Sequence, residues 1–353
     1  MKPPGRSRGN RRERDRPHGR APAVGLIRRN GESDGPGGGR GGEGLLGVLG
    51  TEATVLYRGI LGAAVFKGGT SLSKIFRAIN RFSEDIDLAV DYEALGFTGI
   101  RDPRREGLSR TRQNKLLAAM MVDCQRYIGS EFISEFSGRC EDTLGREGNW
   151  SIGIDDRDPN IVRFHYPAAT AVHLIYISPQ VVLELGTHAE FIPRDDFSIR
   201  PFAAEQFPGL FTEAEVRVTA LLAKRTFWEK ATILHAQYHR AAGQAIPARY
   251  SRHYYDVAML CGTSIKEEAL ADLQLLHDVV IHKQTFYPAA WARYDLAIPG
   301  TLKLVPGKAG ISALKQDYRE MAAMIFGDPP RFESVIGTLT ALEGEIDRLA
   351  AAR

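Results

Sequence analysis

The sequence predicts an α/β (α+β) protein in which a mixed sheet precedes a mainly helical C-terminal region. Three observations carry this reading. Short apolar runs of strand length cluster between residues 64 and 185, turn residues punctuate them, and after about residue 212 the apolar spacing changes to that of helices. With 353 residues the chain is long enough for two domains. The expected division is a tail over 1–44, a sheet-bearing domain over 45–205 and a helical domain over 206–353.

The elements follow in order. Residues 51–61 read as a helix and 64–66 as a short apolar element. Lys67-Gly68-Gly69-Thr70 reads as a turn leading into a helix over 71–79. Ile86, Leu88 and Val90 alternate with Asp85, Asp87 and Ala89, the pattern of a strand with one face buried and one presented. A helix is expected over 110–127, then an irregular stretch from 132 through Gly145, Gly148 and Gly153. Strands are expected at 162–166, 171–177 and 181–185, and the proline-marked segment 193–208 as a crossing to the second domain. Helices are expected over 213–240, 252–261, 265–282 and 315–325 and from 332 to the terminus. No internal repeat supports a solenoid.

The charge is divided unevenly. Of 46 Lys and Arg and 43 Asp and Glu, residues 1–45 hold 11 basic and 5 acidic, so the net +3 of the chain becomes −3 for the remainder. The tail also holds 12 of the 36 glycines, a composition that buries little and reads as disordered. Cys124, Cys140 and Cys261 are too few and too scattered for a zinc cluster or a disulfide framework, which fits a reducing cytoplasm. No apolar run is long enough for a signal peptide or a membrane span, so neither secretion nor a membrane partner is expected.

The stretch from Lys67 to Asp87 is where chemistry is legible. Asp85 and Asp87 project from one face of a predicted strand, and two such carboxylates raise each other's pKa unless a cation neutralises them. For bare oxygen ligands that cation is Mg²⁺ or Mn²⁺. Glu184, the single acid in the run 181–185, is the candidate third ligand. A solvent-exposed acidic pair is the alternative. Ahead of the pair, Gly68 and Gly69 remove side chains where backbone amides approach a ligand, and the following helix turns its free N–H groups toward the same place, which suits a triphosphate. Lys67 and Lys74 flank the turn as point charges for phosphate. Neither a Walker nor a Rossmann glycine pattern is present.

The runs Phe66-Lys67-Gly68-Gly69-Thr70-Ser71-Leu72-Ser73-Lys74 and Arg81-Phe82-Ser83-Glu84-Asp85-Ile86-Asp87-Leu88 resemble the nucleotidyltransferase AbiEii/AbiGii toxin family. Two later segments, from Thr226 to His235 and from Ser251 to Val257, match further family motifs in order. The resemblance implies a fold like that of DNA polymerase β, an NTP substrate, and the role of toxin in a toxin–antitoxin or abortive-infection system. It assigns metal binding and catalysis to Asp85 and Asp87, and implies an active-site lysine at Lys230 and a functional acid at Asp256. It places the nucleotide at the Gly68-Gly69 turn with Lys74 nearby, suggests tRNA modified at its 3′ end as acceptor, and implies a cognate antitoxin protein; Lys67, Thr70, Ser71 and Ser83 complete the candidate nucleotide-binding set. Beside this stand plainer readings: Lys230 as a surface neighbour of Glu229, and Asp256 as the i+4 ion-pair partner of Arg252.

His165, His235 and His253 lie in strand or packed helical contexts without zinc-ligand spacing. Phe227, Trp228, Tyr254 and Tyr255 suit either base stacking or a helical core. Lys224, Arg225, Arg240, Arg249 and Arg252 are candidates for a local basic groove. Two rival functions remain open on sequence alone: transfer of a γ-phosphate to a protein or small molecule, and a catalytically silent antitoxin-binding protein.

Overall fold

The computed structural model describes residues 64–83, 85–166, 180–200, 215–241 and 244–351. The expected tail, the helix at 51–61 and the strand at 171–177 lie outside them. The seven strands form one mixed sheet in the order β3-β4-β5-β2-β1-β7-β6. They are β1 (Ala64–Lys67), β2 (Asp85–Val90), β3 (Ser151–Ile154), β4 (Ile161–His165), β5 (Gln180–Gly186), β6 (Arg194–Ile199) and β7 (Val216–Leu221). The central strand β2 pairs antiparallel with β1 and parallel with β5, and β1 pairs parallel with β7.

One sheet face is apolar and covered. Leu88, Phe164 and Leu183 point into a core closed by Ile128, Phe132 and Phe136 from the helical layer above. Fully burying a side chain of this size contributes roughly 1.5–3 kcal/mol, which sets which face of each strand turns inward. That layer is α2 (Arg110–Tyr127), a π-helical turn (Ile128–Phe132) and α3 (Ile133–Leu144). The irregular stretch expected from 132 is therefore helical up to Leu144. The i, i+4 stripe Ile128, Phe132, Phe136, Cys140 is its physical cause.

Two further expectations are corrected. The segment read as a crossing from 193 contains β6, whose Phe197 and Ile199 pack on the core face while its polar residues line an exposed edge. The helix expected from 213 starts only at Ala223, because Val216, Val218 and Ala220 alternate into the sheet core as β7 and Leu222 keeps an extended backbone. Since β6 and β7 pair along their whole length, the sheet runs on to Leu221, past the division expected at 205/206.

The C-terminal region is helical: α4 (Ala223–Tyr238), α5 (Ser251–Leu260), α6 (Ser264–Leu270), α7 (Leu273–Phe286), α8 (Lys308–Met321) and α9 (Phe332–Ala351). Asp272 divides the helix expected over 265–282 by accepting a hydrogen bond from the Leu275 N–H at 3.2 Å as the N-cap of α7. The first helix, α1 (Gly68–Lys74), begins at the glycines themselves and is shorter than expected. Its Leu72, with Ile79, packs into the helical core, so the glycine turn is clamped between the sheet and the helices. Among the described residues no helix is long and apolar enough to cross a membrane.

Candidate active site

The strand register builds a charged row. Lys67 of β1 is paired with Asp87 of β2, and Asp87 with Glu184 of β5. Cross-strand partners share a face, so all three project from the side opposite the Leu88–Leu183 core, beyond the smaller buried cluster that Val65 and Ala89 join on that side. Asp85 shares this face one pleat away, paired with Val182, about 6.6 Å along the strand. Ile86 and Leu88 occupy the other parity and are buried, which leaves the carboxylates no inward orientation.

The glycine turn lies against this row. Gly68 has φ +76°, and a Cβ there would fall 1.8 Å from Asp87 Oδ2. A Cβ at Gly69 would lie 2.6 Å from Arg81 Nη2 and 3.1 Å from Ser83 Oγ. Thr70 Oγ1 donates to the Asp85 carbonyl at 2.5 Å and Ser71 Oγ to the Gly68 carbonyl at 2.9 Å. Both residues are buried, so their hydroxyls hold the turn against β2. Lys74 sits in the last turn of α1, about 9 Å along the helix from Gly68.

A cleft of about 260 Å³ opens over the row, with Lys67, Asp87, Glu184, His188 and Tyr287 among its walls. Burial alone would lower the Lys67 pKa, but Asp87 and then Glu229 reverse this and raise it. The Glu184 carboxyl is pushed up, first by desolvation and then by Asp87 and Asp85. The arrangement thus gathers carboxylates at one point with a lysine beside them.

A second charged unit stands behind Gly69. Asp256 of α5 is wholly buried and accepts a bidentate pair of hydrogen bonds from Arg81 Nε and Nη2, both 2.7 Å. Lys230 Nζ of α4 lies 2.8 Å from Asp256 Oδ2. Burial would raise the Asp256 pKa, yet Lys230 and then Arg81 hold the carboxylate well below its usual range. The plainer readings are corrected here: Lys230 is buried, and Asp256 pairs with Arg81 and Lys230 instead of Arg252. Arg252, half-buried, directs its charge toward Glu184. The backbone around Arg81 is tied to the helical region as well, through Phe82 N–H to the Met324 carbonyl at 2.7 Å and Phe326 N–H to the Asn80 carbonyl at 2.8 Å.

A sequence model of the nucleotidyl transferase AbiEii toxin family, a type IV toxin–antitoxin system, matches residues 55–338. The chain belongs to this family. The matched span contains the glycine turn, the charged row and the Arg81–Asp256–Lys230 unit. Among solved structures, MenT4, a nucleotidyltransferase toxin from Mycobacterium tuberculosis H37Rv, is similar at 14% identity, covering 86% of this chain and 83% of that one, with a TM-score of 0.41. Comparison with curated proteins returns no match.

Within this AbiEii chain the structure assigns several residues away from the cleft. Phe227, Trp228, Tyr254 and Tyr255 are buried in the helical core, and Trp228 Nε1 donates to the Ala269 carbonyl at 3.2 Å. His235 Nδ1 accepts from the Lys303 N–H at 3.0 Å, so its Nε2 carries the proton donated to the Arg293 carbonyl at 2.9 Å, a structural tie. Lys224 is paired with Asp272 at 2.8 Å, and buried Arg225 with Glu229 at 3.1 Å. Arg240 lies over the Trp291 ring, 5.4 Å from its centroid. The exposed His165 ends β4.

Sequence reasoning missed Arg81, Lys283 and Tyr287. Arg81 stands at the head of a quoted motif, so its position was visible and its partner was not. Lys283 and Tyr287 lie one helical turn apart, a spacing that marks a shared face but no function.

For a divalent cation, the donor chemistry of the row fits. Mg²⁺ commonly takes one or two carboxylates and completes its shell with water and substrate phosphates, and the in-register Asp87 and Glu184 offer such a pair. Among the described residues no three His, Cys, Asp or Glu side chains converge into a metal-holding group.

Proposed function

We propose that this AbiEii toxin transfers a nucleotidyl group from an NTP to an acceptor hydroxyl, the 3′ end of tRNA, in a Mg²⁺- or Mn²⁺-dependent reaction, and that a cognate antitoxin restrains it. The observation that carries the reading is the Lys67–Asp87–Glu184 row laid directly against the Gly68 turn. Carboxylates that must hold a cation and a backbone turn that admits phosphate are needed at one point, and here they touch.

In this reading the in-register pair Asp87 and Glu184, with Asp85 one pleat away, would hold the cation, which would supply Lewis-acid polarisation of the phosphoryl oxygens. The glycine turn and Lys67 receive the triphosphate. The acceptor oxygen forms a bond to the α-phosphorus while the bond from that phosphorus to the bridging oxygen breaks. Pyrophosphate leaves with the electron pair, and the hydroxyl proton passes to the carboxylate face. Lys230, held in place by Asp256, supplies positive charge toward the phosphates, a contribution worth about 3 kcal/mol in comparable electrostatic sites.

Transfer of label from each of the four α-³²P NTPs to total bacterial RNA with Mg²⁺ tests this, with Asp85→Ala and Asp87→Ala as controls. Labelled tRNA that disappears in both variants and on chelation is the expected result. Label on a protein or small molecule, or none from a folded protein that binds NTP, overturns it.

A further inference from the structure

Four cations gather beside the cleft, one of them, Lys67, in its wall, and their counter-charges do not cover them all. Lys67, Arg225, Lys230 and Lys283 share one electrostatic neighbourhood with Glu229 at its centre. Glu229 is engaged by Arg225 at 3.1 Å. Lys230 shares Asp256 with Arg81, which also donates to it twice. Asp87 and Glu184 belong to the cation-holding face. This leaves the half-buried ammonium groups of Lys67 and Lys283, for which no carboxylate stands within ion-pairing distance among the described residues.

Lys283 comes from the last turn of α7, and its Nζ sits over the ring of Tyr287 at 4.7 Å from the centroid. That ring is a wall of the cleft beside Lys67, Asp87 and Glu184. Tyr287 also meets His188, another wall residue, edge-on at 6.0 Å. The ring therefore holds the ammonium beside a wall of the cleft without neutralising it, since a cation–π contact offsets only part of a desolvated charge. Burial and the Lys67 and Arg225 charges bring the Lys283 pKa down to about 8, against the pull of Glu229, the behaviour of a cation with surplus positive charge around it.

We propose that Lys283, seated on Tyr287 and paired with Lys67, binds the β- and γ-phosphates of the NTP and so receives the leaving pyrophosphate. The inference rests on the nucleotidyl-transfer reading and adds to it a binding residue from α7, outside the glycine turn, the Asp-x-Asp strand and the Lys230–Asp256 unit. Phosphate oxygens supply the multiple negative charges that two unpaired lysines need, and the β- and γ-phosphates gain negative charge when the bond to the α-phosphorus breaks and its electron pair leaves with them. The same chemistry is present in the RNA backbone, so the test must separate the two.

The experiment measures binding of ATP, ADP and AMP (and the equivalent series for whichever nucleotide is transferred) to the full chain without RNA, for wild type, Lys283→Met, Lys283→Arg and Tyr287→Leu. Loss of one charged contact to phosphate costs about tenfold to a hundredfold in affinity. Lys283→Met is expected to weaken NTP binding by that factor and leave NMP binding unchanged, with Lys283→Arg recovering most of it. Tyr287→Leu is expected to fall between them. Equal loss for NTP and NMP, or unchanged NTP binding in a folded Lys283→Met, overturns the assignment. So does a raised KM for RNA with NTP affinity intact, which would place Lys283 on the acceptor. Wild-type protein that binds no NTP overturns the nucleotidyl-transfer reading itself, an outcome distinct from a wild type that binds NTP and a variant that binds it equally well.

Discussion

Replacing Asp256 by alanine strips the counter-charge from two buried cations at once. Arg81 is 3% exposed and Lys230 6%, and the carboxylate between them is fully buried, with contacts of 2.7, 2.7 and 2.8 Å. Removing one partner of a buried ion pair costs about 3–5 kcal/mol, because the surviving charge stays desolvated and unpaired. Two survivors place Asp256→Ala near the upper end, about 4–5 kcal/mol, and roughly 6 °C in Tm for a protein of this size. Asp256→Asn keeps an oxygen acceptor and the side-chain volume, so a smaller loss is expected. The pH dependence has a definite sign. The folded pKa is depressed below the ordinary 3.8, so the folded state binds the proton less readily than the unfolded chain. The stabilisation is complete above that value and drains away as pH falls below it toward the folded pKa. Urea unfolding at a series of pH values should therefore show a gap between wild type and Asp256→Asn that is flat from pH 7 to 5 and narrows below about 4. A loss under about 1 kcal/mol for Asp256→Ala, or a gap that widens in acid, would refute the argument.

Two other perturbations separate positioning from stability. Gly68→Ala puts a Cβ on the Asp87 carboxylate and forces a left-handed backbone on an L-residue, so it should cost about 1–2 kcal/mol of stability. Displacing the carboxylate should also cut transfer by about a hundredfold or more. A paired activity and melting measurement checks both. Lys230→Met leaves Asp256 its two Arg81 bonds, so its Tm should fall less than that of Asp256→Ala while label transfer drops about a hundredfold; equal Tm losses would show that the ion pair with Lys230, not the one with Arg81, carries the stabilisation by Asp256.

Much of the sheet was legible because its signal is local. Alternation of Ile86, Leu88 and Val90 with two aspartates needs no tertiary information to read as a half-buried strand, and β4 and β5 announced themselves by their apolar runs. β6 and β7 escaped because β6 is a polar edge strand and β7 runs almost directly into α4, where a short apolar run reads equally well as the first turn of a helix. The same limit hid the helical stripe from Ile128 to Cys140, whose glycines and polar residues read as loop until the sheet supplied a surface to cover.

By itself, the sequence determined the division into sheet and helices, the glycine turn ahead of an Asp-x-Asp strand, and the four ordered motifs that carry the family resemblance. These depend on residue type and short spacing, which the chain states directly. Only the tertiary structure decided that Lys67, Asp87 and Glu184 stand in one row, because strand register links residues far apart in the chain. It also decided that Asp256 answers Arg81 across 175 residues, and that Tyr287 belongs to the wall of the cleft with the Lys283 ammonium over its ring. Charge balance in a site is a sum over neighbours, and the neighbours are chosen by packing.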